Sequence, residues 1–214
     1  MGSFSTDWFF FIFFINLVIF AYVRMNFYGY IQQLLSSVIS YGTSYKMYRD
    51  SKNVKPASGF LLIVISLFSV SVFFYQAVAT FNPQIINEYG LIVYGSIIIF
   101  LIIVVLLNKI FNWFMGFVFF QEELSSEFNR NIDFFNQVTG ILVFPISFLS
   151  VYSNIPVISI YIGFFIILTI YLLRIIRLMK INFNKQINIF YMFLYLCTVE
   201  FIPIVYLIKI LTKP

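Results

Sequence analysis

Apolar residues gather into six long runs along the chain: Trp8–Val23, Gly59–Val78, Leu91–Ile110, Val138–Tyr152, Val157–Leu173 and Ile189–Leu211. Most approach the ~20 residues a helix needs to cross a bilayer. The fourth run is short by itself, and Phe134 with Phe135 extends it to spanning length. The pattern predicts an all-α membrane protein, a bundle of six transmembrane helices forming one polytopic domain over residues 1–214. Pro145 predicts a bend in the fourth span.

Two connecting segments have a helical period of their own. Between Phe27 and Tyr48 the apolar residues Phe27, Ile31, Leu34, Leu35, Val38, Ile39 and Tyr45 form a stripe, with Gln32, Gln33, Ser36, Ser37, Ser40 and Ser44 on other faces. That predicts an amphipathic helix lying in the membrane surface. From Asn112 to Asn131, Trp113, Phe117, Phe120, Leu124 and Phe128 alternate with Gln121, Glu122, Glu123, Ser125 and Ser126. This predicts a second one, continuing the third span and bending near Asn112 or Gly116.

Charge supplies the orientation. Arg24, Lys46, Arg49, Lys52 and Lys55 follow the first run, Lys109 and Arg130 the third, and Arg174, Arg177, Lys180 and Lys185 the fifth. The second connection, Ala79–Gly90, and the fourth, Ser153–Pro156, have no Lys or Arg. Eleven of the thirteen positive residues therefore fall on one side. The positive-inside rule predicts that side to be cytoplasmic, with both termini periplasmic and the two amphipathic helices in the cytoplasm. The first run reads as a retained anchor, because no Lys or Arg precedes it and Arg24 follows it.

Composition narrows the chemistry. Hydrophobic residues make up 62% and charged residues 10% of the chain, against about 45–50% and roughly 25% in soluble domains. With no histidine, a histidine triad or His-ligated metal is excluded, and the single cysteine, Cys197, excludes a disulfide or thiolate cage within the chain. The abundance of Phe and Tyr matches AT-rich codon usage and does not by itself describe a ligand cage. A net charge of +5 distributed between spans orients the protein and gives no argument for nucleic acid. No Walker A, HExxH or nucleophile-elbow motif occurs. We expect no cofactor, no metal and no catalytic residue.

Glu200 is the outstanding polar position, eleven residues from either end of Ile189–Leu211. A charge at the centre of a membrane helix costs about 2.5–3.5 kcal/mol on insertion scales. The group must face protein or water, or remain protonated. Tyr195, Thr198 and Pro203 surround it, and Pro203 frees the Val199 carbonyl. Two readings stand: a proton, cation or partner-docking site, and an interhelical hydrogen bond. Asn16, Gln76, Gln137, Thr139, Ser147 and Thr169 read as glue between helices. Glu122, Glu123 and Glu127, with Asp133, read as a solvated helix face, or else a docking face for a protein. The basic stretch Lys46–Lys55 sets topology and is also suited to anionic lipid.

The string YLCTVEFIP at Tyr195–Pro203, with its apolar tail, and GILVFPISFL at Gly140–Leu149 carry a resemblance. With the Asp7–Trp8 anchor and the basic first loop, they resemble a Bacteroidota family of uncharacterised multi-spanning inner-membrane proteins, a domain of unknown function. The resemblance implies location and lineage and transfers no site residue. The leading expectation is a non-enzymatic accessory or scaffold subunit of a larger inner-membrane complex in envelope biogenesis or protein export. The competing one is a small transporter or channel using Glu200.

Overall fold

The computed structural model describes residues 7–50, 56–118, 122–153 and 156–184. Among these the chain is all helical: α1 (Asp7–Asn26), α2 (Tyr28–Ile39), α3 (Tyr41–Asp50), α4 (Pro56–Phe81), α5 (Pro83–Val118), α6 (Glu122–Tyr152) and α7 (Pro156–Asn184). Five of them, α1 and α4 to α7, are long and apolar enough to cross a membrane. The outer faces agree: Phe11, Leu91, Ile99, Trp113, Ile158 and Phe165 are large, apolar and exposed, a surface suited to lipid rather than water. The sixth expected span, Ile189–Leu211, lies outside the described residues.

Helix ends differ from the sequence reading where polar residues continue a helix past its apolar run. Ala79–Gly90, expected as a connection, is almost entirely helical, with only Asn82 between α4 and α5. Pro83 occupies the first helical position of α5, where its missing N–H has no intrahelical partner to lose. With 36 residues, α5 is about 54 Å long and outreaches a hydrocarbon layer of about 30 Å. The Asn112–Asn131 segment is divided between the end of α5 and the start of α6.

Phe27–Tyr48 is likewise two helices rather than one. Ser40 separates α2 from α3 in an extended conformation (φ −106°, ψ 124°), its N–H donating to the Ser36 carbonyl. Serine favours such a break because its hydroxyl competes with helical backbone bonding. Beyond the break, Tyr41 meets Glu127 and Ser44 meets Asn131. One turn of α3 thus matches one turn of α6, and the two helices run side by side in the same direction.

Contacts between helices fix the topology. Ser66 Oγ donates to the Asn136 carbonyl and Ser147 Oγ to the Ser69 carbonyl, so α4 and α6 are parallel neighbours. A Cβ on Gly140 would collide with Ser66 Cα, which is how closely the two backbones approach. Helix α5 runs antiparallel to both, with Tyr94 at Ser71 near one end and Lys109 at Asp133 near the other. Helix α7 crosses Phe73 at Gly163 and reaches Phe135 with Arg177. Helix α1 places Phe9 against Tyr75 and Val23 in one cluster with Leu62. The long helices alternate in direction. Their shared end gathers α2, α3, the start of α6 and the ends of α5 and α7 into a head.

Candidate functional site

Most described charged side chains belong to the head, and α6 organises it. Its first half has two polar stripes at helical spacing, Ser125–Asn129–Asp133 toward α5 and Glu127–Asn131 toward α3. Toward α5, Asp133 pairs with Lys109 at 3.1 Å, Asn112 Nδ2 donates to Asn129 Oδ1 at 3.0 Å, and Ser125 Oγ donates to the Asn112 carbonyl at 2.6 Å. Toward α3, Tyr41 donates its hydroxyl to Glu127 Oε1 at 3.2 Å. Ser44 Oγ donates to Asn131 Oδ1 at 2.7 Å, and Asn131 Nδ2 returns to the Glu127 carbonyl at 2.9 Å.

Two further residues tie the head to the spans. Gln137 accepts from the Tyr30 hydroxyl at 2.9 Å and donates to the Gly59 carbonyl at 3.1 Å, joining α2, α4 and α6. Arg177, buried on α7, donates through Nη2 to the carbonyls of Ser37 and Val38, both at 2.9 Å. These are carbonyls from the last turn of α2, where the helix dipole is negative and a cation is favoured. The same guanidinium lies 5.8 Å from the Tyr41 ring centroid and 5.9 Å from that of Phe135.

Burial keeps Tyr30 and Tyr41 neutral. Desolvation raises the Tyr30 pKa to about 12 against the pull of the Gln137 hydrogen bond. It also raises Tyr41 to about 12, with the neighbouring Glu127 carboxylate adding to the rise. Tyr41 therefore links a cation on its ring face to a carboxylate at its hydroxyl. Chemically the arrangement is a lock: each polar group joins one helix to another. Among the described residues no group of three or more His, Cys, Asp or Glu is placed to hold a metal.

The expected site residues fare unequally. Glu200, Tyr195, Thr198 and Pro203 lie outside the described residues. Glu122 and Glu123 open α6, where acidic residues suit a helix amino terminus. Glu127, read as part of a solvated face, is instead fully buried, because α3 packs over the stripe it shares with Asn131. Gln137 and Ser147 do join helices, while Thr139 and Thr169 bond carbonyls of their own helix. Asn16 is buried, and its Oδ1 has no hydrogen-bond donor among the described residues. Sequence reasoning missed Arg177 and Tyr41. Arg177 stands in the basic stretch that follows Val157–Leu173, and the signal for a helix there is an apolar pattern continuing through Ile175, Leu178 and Ile181.

A family model described as a domain of unknown function, DUF4271, matches residues 9–211. No curated protein and no solved structure matches the chain.

Proposed function

Since the chain belongs to the DUF4271 family, a domain of unknown function, we propose from its head that it is a non-enzymatic accessory or scaffold subunit of a membrane assembly. The observation that carries this reading is the Arg177 cross-link from α7 to α2, with Tyr41–Glu127 beside it. Charged groups that would be expensive to bury alone are used here to hold α2 and α3 in one position. A surface held in shape before its partner arrives lowers the ordering cost of association. In this reading Glu122 and Glu123 belong to the docking face.

The loop charges support a bacterial inner-membrane location with the head cytoplasmic, both termini periplasmic and Ile189–Leu211 as the sixth span. The resemblance to Bacteroidota proteins and the small extramembrane mass favour an envelope-biogenesis or protein-export assembly. The test is gentle detergent extraction followed by mass spectrometry of co-purifying proteins. A reproducible set of larger membrane proteins is expected from the wild-type chain, and lost when Arg177→Leu releases the head. Recovery of the chain alone from crosslinked membranes overturns the proposal. The transporter reading is supported by the place of Glu200 at the middle of the apolar run Ile189–Leu211 in the sequence and requires substrate flux in reconstituted vesicles.

A further inference from the structure

We infer that the seam between α5 and α6 holds a binding site for a monovalent alkali cation, built from the side-chain oxygens of Asn108, Asn112 and Asp133, with the Lys109 ammonium as its built-in competitor. Asn108 and Asn112 stand one turn apart on α5, and Asn129 and Asp133 one turn apart on α6. The two helices are antiparallel, so the 3.0 Å bond from Asn112 to Asn129 sets the next rung, with Asn108 opposite Asp133. Lys109, beside Asn108 in the chain, marks the same level by meeting Asp133 at 3.1 Å.

The oxygens in this seam have few donors. Asn108 and Asn112 are buried, and each amide is oriented by its own Nδ2, which donates to the Val104 carbonyl at 2.8 Å and to Asn129 respectively. Neither Oδ1 has a hydrogen-bond donor among the described residues. Asp133 Oδ1, equally shielded from solvent, has the ion pair with Lys109 but no hydrogen bond. All three residues belong to stretches apolar enough to cross a membrane, Gly90–Phe114 and Ser125–Tyr152. Acceptors without donors are costly there, and one cation satisfies several together.

The donor set selects the occupant. Carbonyl-type oxygens replace the hydration shell of an alkali cation, whereas an anion would be repelled by them. One carboxylate among neutral amides supplies little charge for a divalent ion, whose affinity follows the charge count of its ligands. Entry is by exchange. The Lys109 side chain is 41% exposed, so its ammonium swings outward as the cation takes its place beside Asp133, and the net charge of the seam is unchanged.

This site is independent of the scaffold reading, and its test needs no protein partner. Thermal unfolding of the purified full chain is followed in detergent with NaCl, KCl or choline chloride at equal ionic strength. The wild-type midpoint should be higher in NaCl or KCl than in choline chloride, and the difference should grow with salt concentration. Asp133→Asn and Asn112→Leu should each abolish the difference. Ser44→Ala, which breaks a bond on the other stripe of α6, should keep it. Lys109→Met leaves all three oxygens in place and removes the competitor, so the concentration giving half the shift should fall on the order of tenfold. Equal wild-type midpoints in all three salts, the result of oxygens that meet only water, overturn the inference. So does a half-shift concentration that Lys109→Met leaves unchanged.

Discussion

The Arg177 guanidinium donates to the Ser37 carbonyl at 2.9 Å, 140 positions away in sequence, and so ties the last turns of α7 to the last turn of α2. With Gln137, which accepts from Tyr30 and donates to the Gly59 carbonyl, it is one of two side chains that tie α2 to the long helices.

Arg177→Leu should loosen α2 and α3 without unfolding the spans. Charge-assisted hydrogen bonds contribute about 1.5–3 kcal/mol each, so a loss of ~2 kcal/mol speeds local opening roughly thirtyfold. Hydrogen exchange resolved by segment reads this directly. Faster exchange confined to α2 and α3 is expected, and unchanged exchange there would show that Arg177 does not hold the head.

Gly140→Ala should destabilise the protein by about 1–3 kcal/mol, because the new methyl meets the Ser66 backbone and α4 and α6 must separate. Gly29→Ala has nothing within 4 Å of the added carbon, and helix propensity makes it neutral or stabilising. Thermal unfolding in detergent should separate the two variants. Equal midpoints would contradict the close approach of α4 and α6.

Alkaline pH should release the head late. Tyr30 and Tyr41 titrate near 12 when folded, against 10.0 for an ordinary tyrosine. A folded pKa above the unfolded one favours the folded state while the phenol is neutral. The contribution is complete below about pH 10 and fades as pH rises through about 12. Phenolate absorbance should show a late-titrating fraction that shrinks in Tyr41→Phe and again in Tyr30→Phe. A titration curve that neither substitution alters would count against burial of these phenols.

Glu200→Gln distinguishes the readings of the carboxyl-terminal run. Gln preserves the shape and hydrogen-bonding capacity of the side chain but removes its titration. Under the packing reading, a deletion strain carrying this variant grows normally. Loss of growth at normal protein level points to a proton-carrying or charge-docking role, and normal growth removes the proton-coupled transporter reading.

The apolar runs made five of the long helices legible, because membrane-length hydrophobicity is a local property of the chain. Trp8–Val23 lies within α1, and Val157–Leu173 within α7. The helix extensions were harder to see. Residues such as Asp133 and Arg177 look like loop residues by polarity, and their partners lie on other helices, far away in sequence. Glu127 illustrates the general reason. Its grouping with Glu122, Glu123 and Asp133 predicts a solvated polar face, and sequence spacing does not record what covers a face; Tyr41 lies 86 positions away. Pro83 is the reverse case, a local signal for a helix start that a charge-free connection obscured.

The same separations bear on how the chain is made. Tyr30 precedes Gln137 by 107 positions and Tyr41 precedes Glu127 by 86. At about 5–20 residues per second of translation, α2 and α3 leave the ribosome on the order of ten seconds before α6 exists to receive them. Throughout that interval the buried cluster of Leu34 and Met47 with Val23, Leu62 and Ile65 lacks Phe134 and Val138, the two members that α6 supplies. Assembly of this protein therefore includes a wait, and its length is written in the order of the helices.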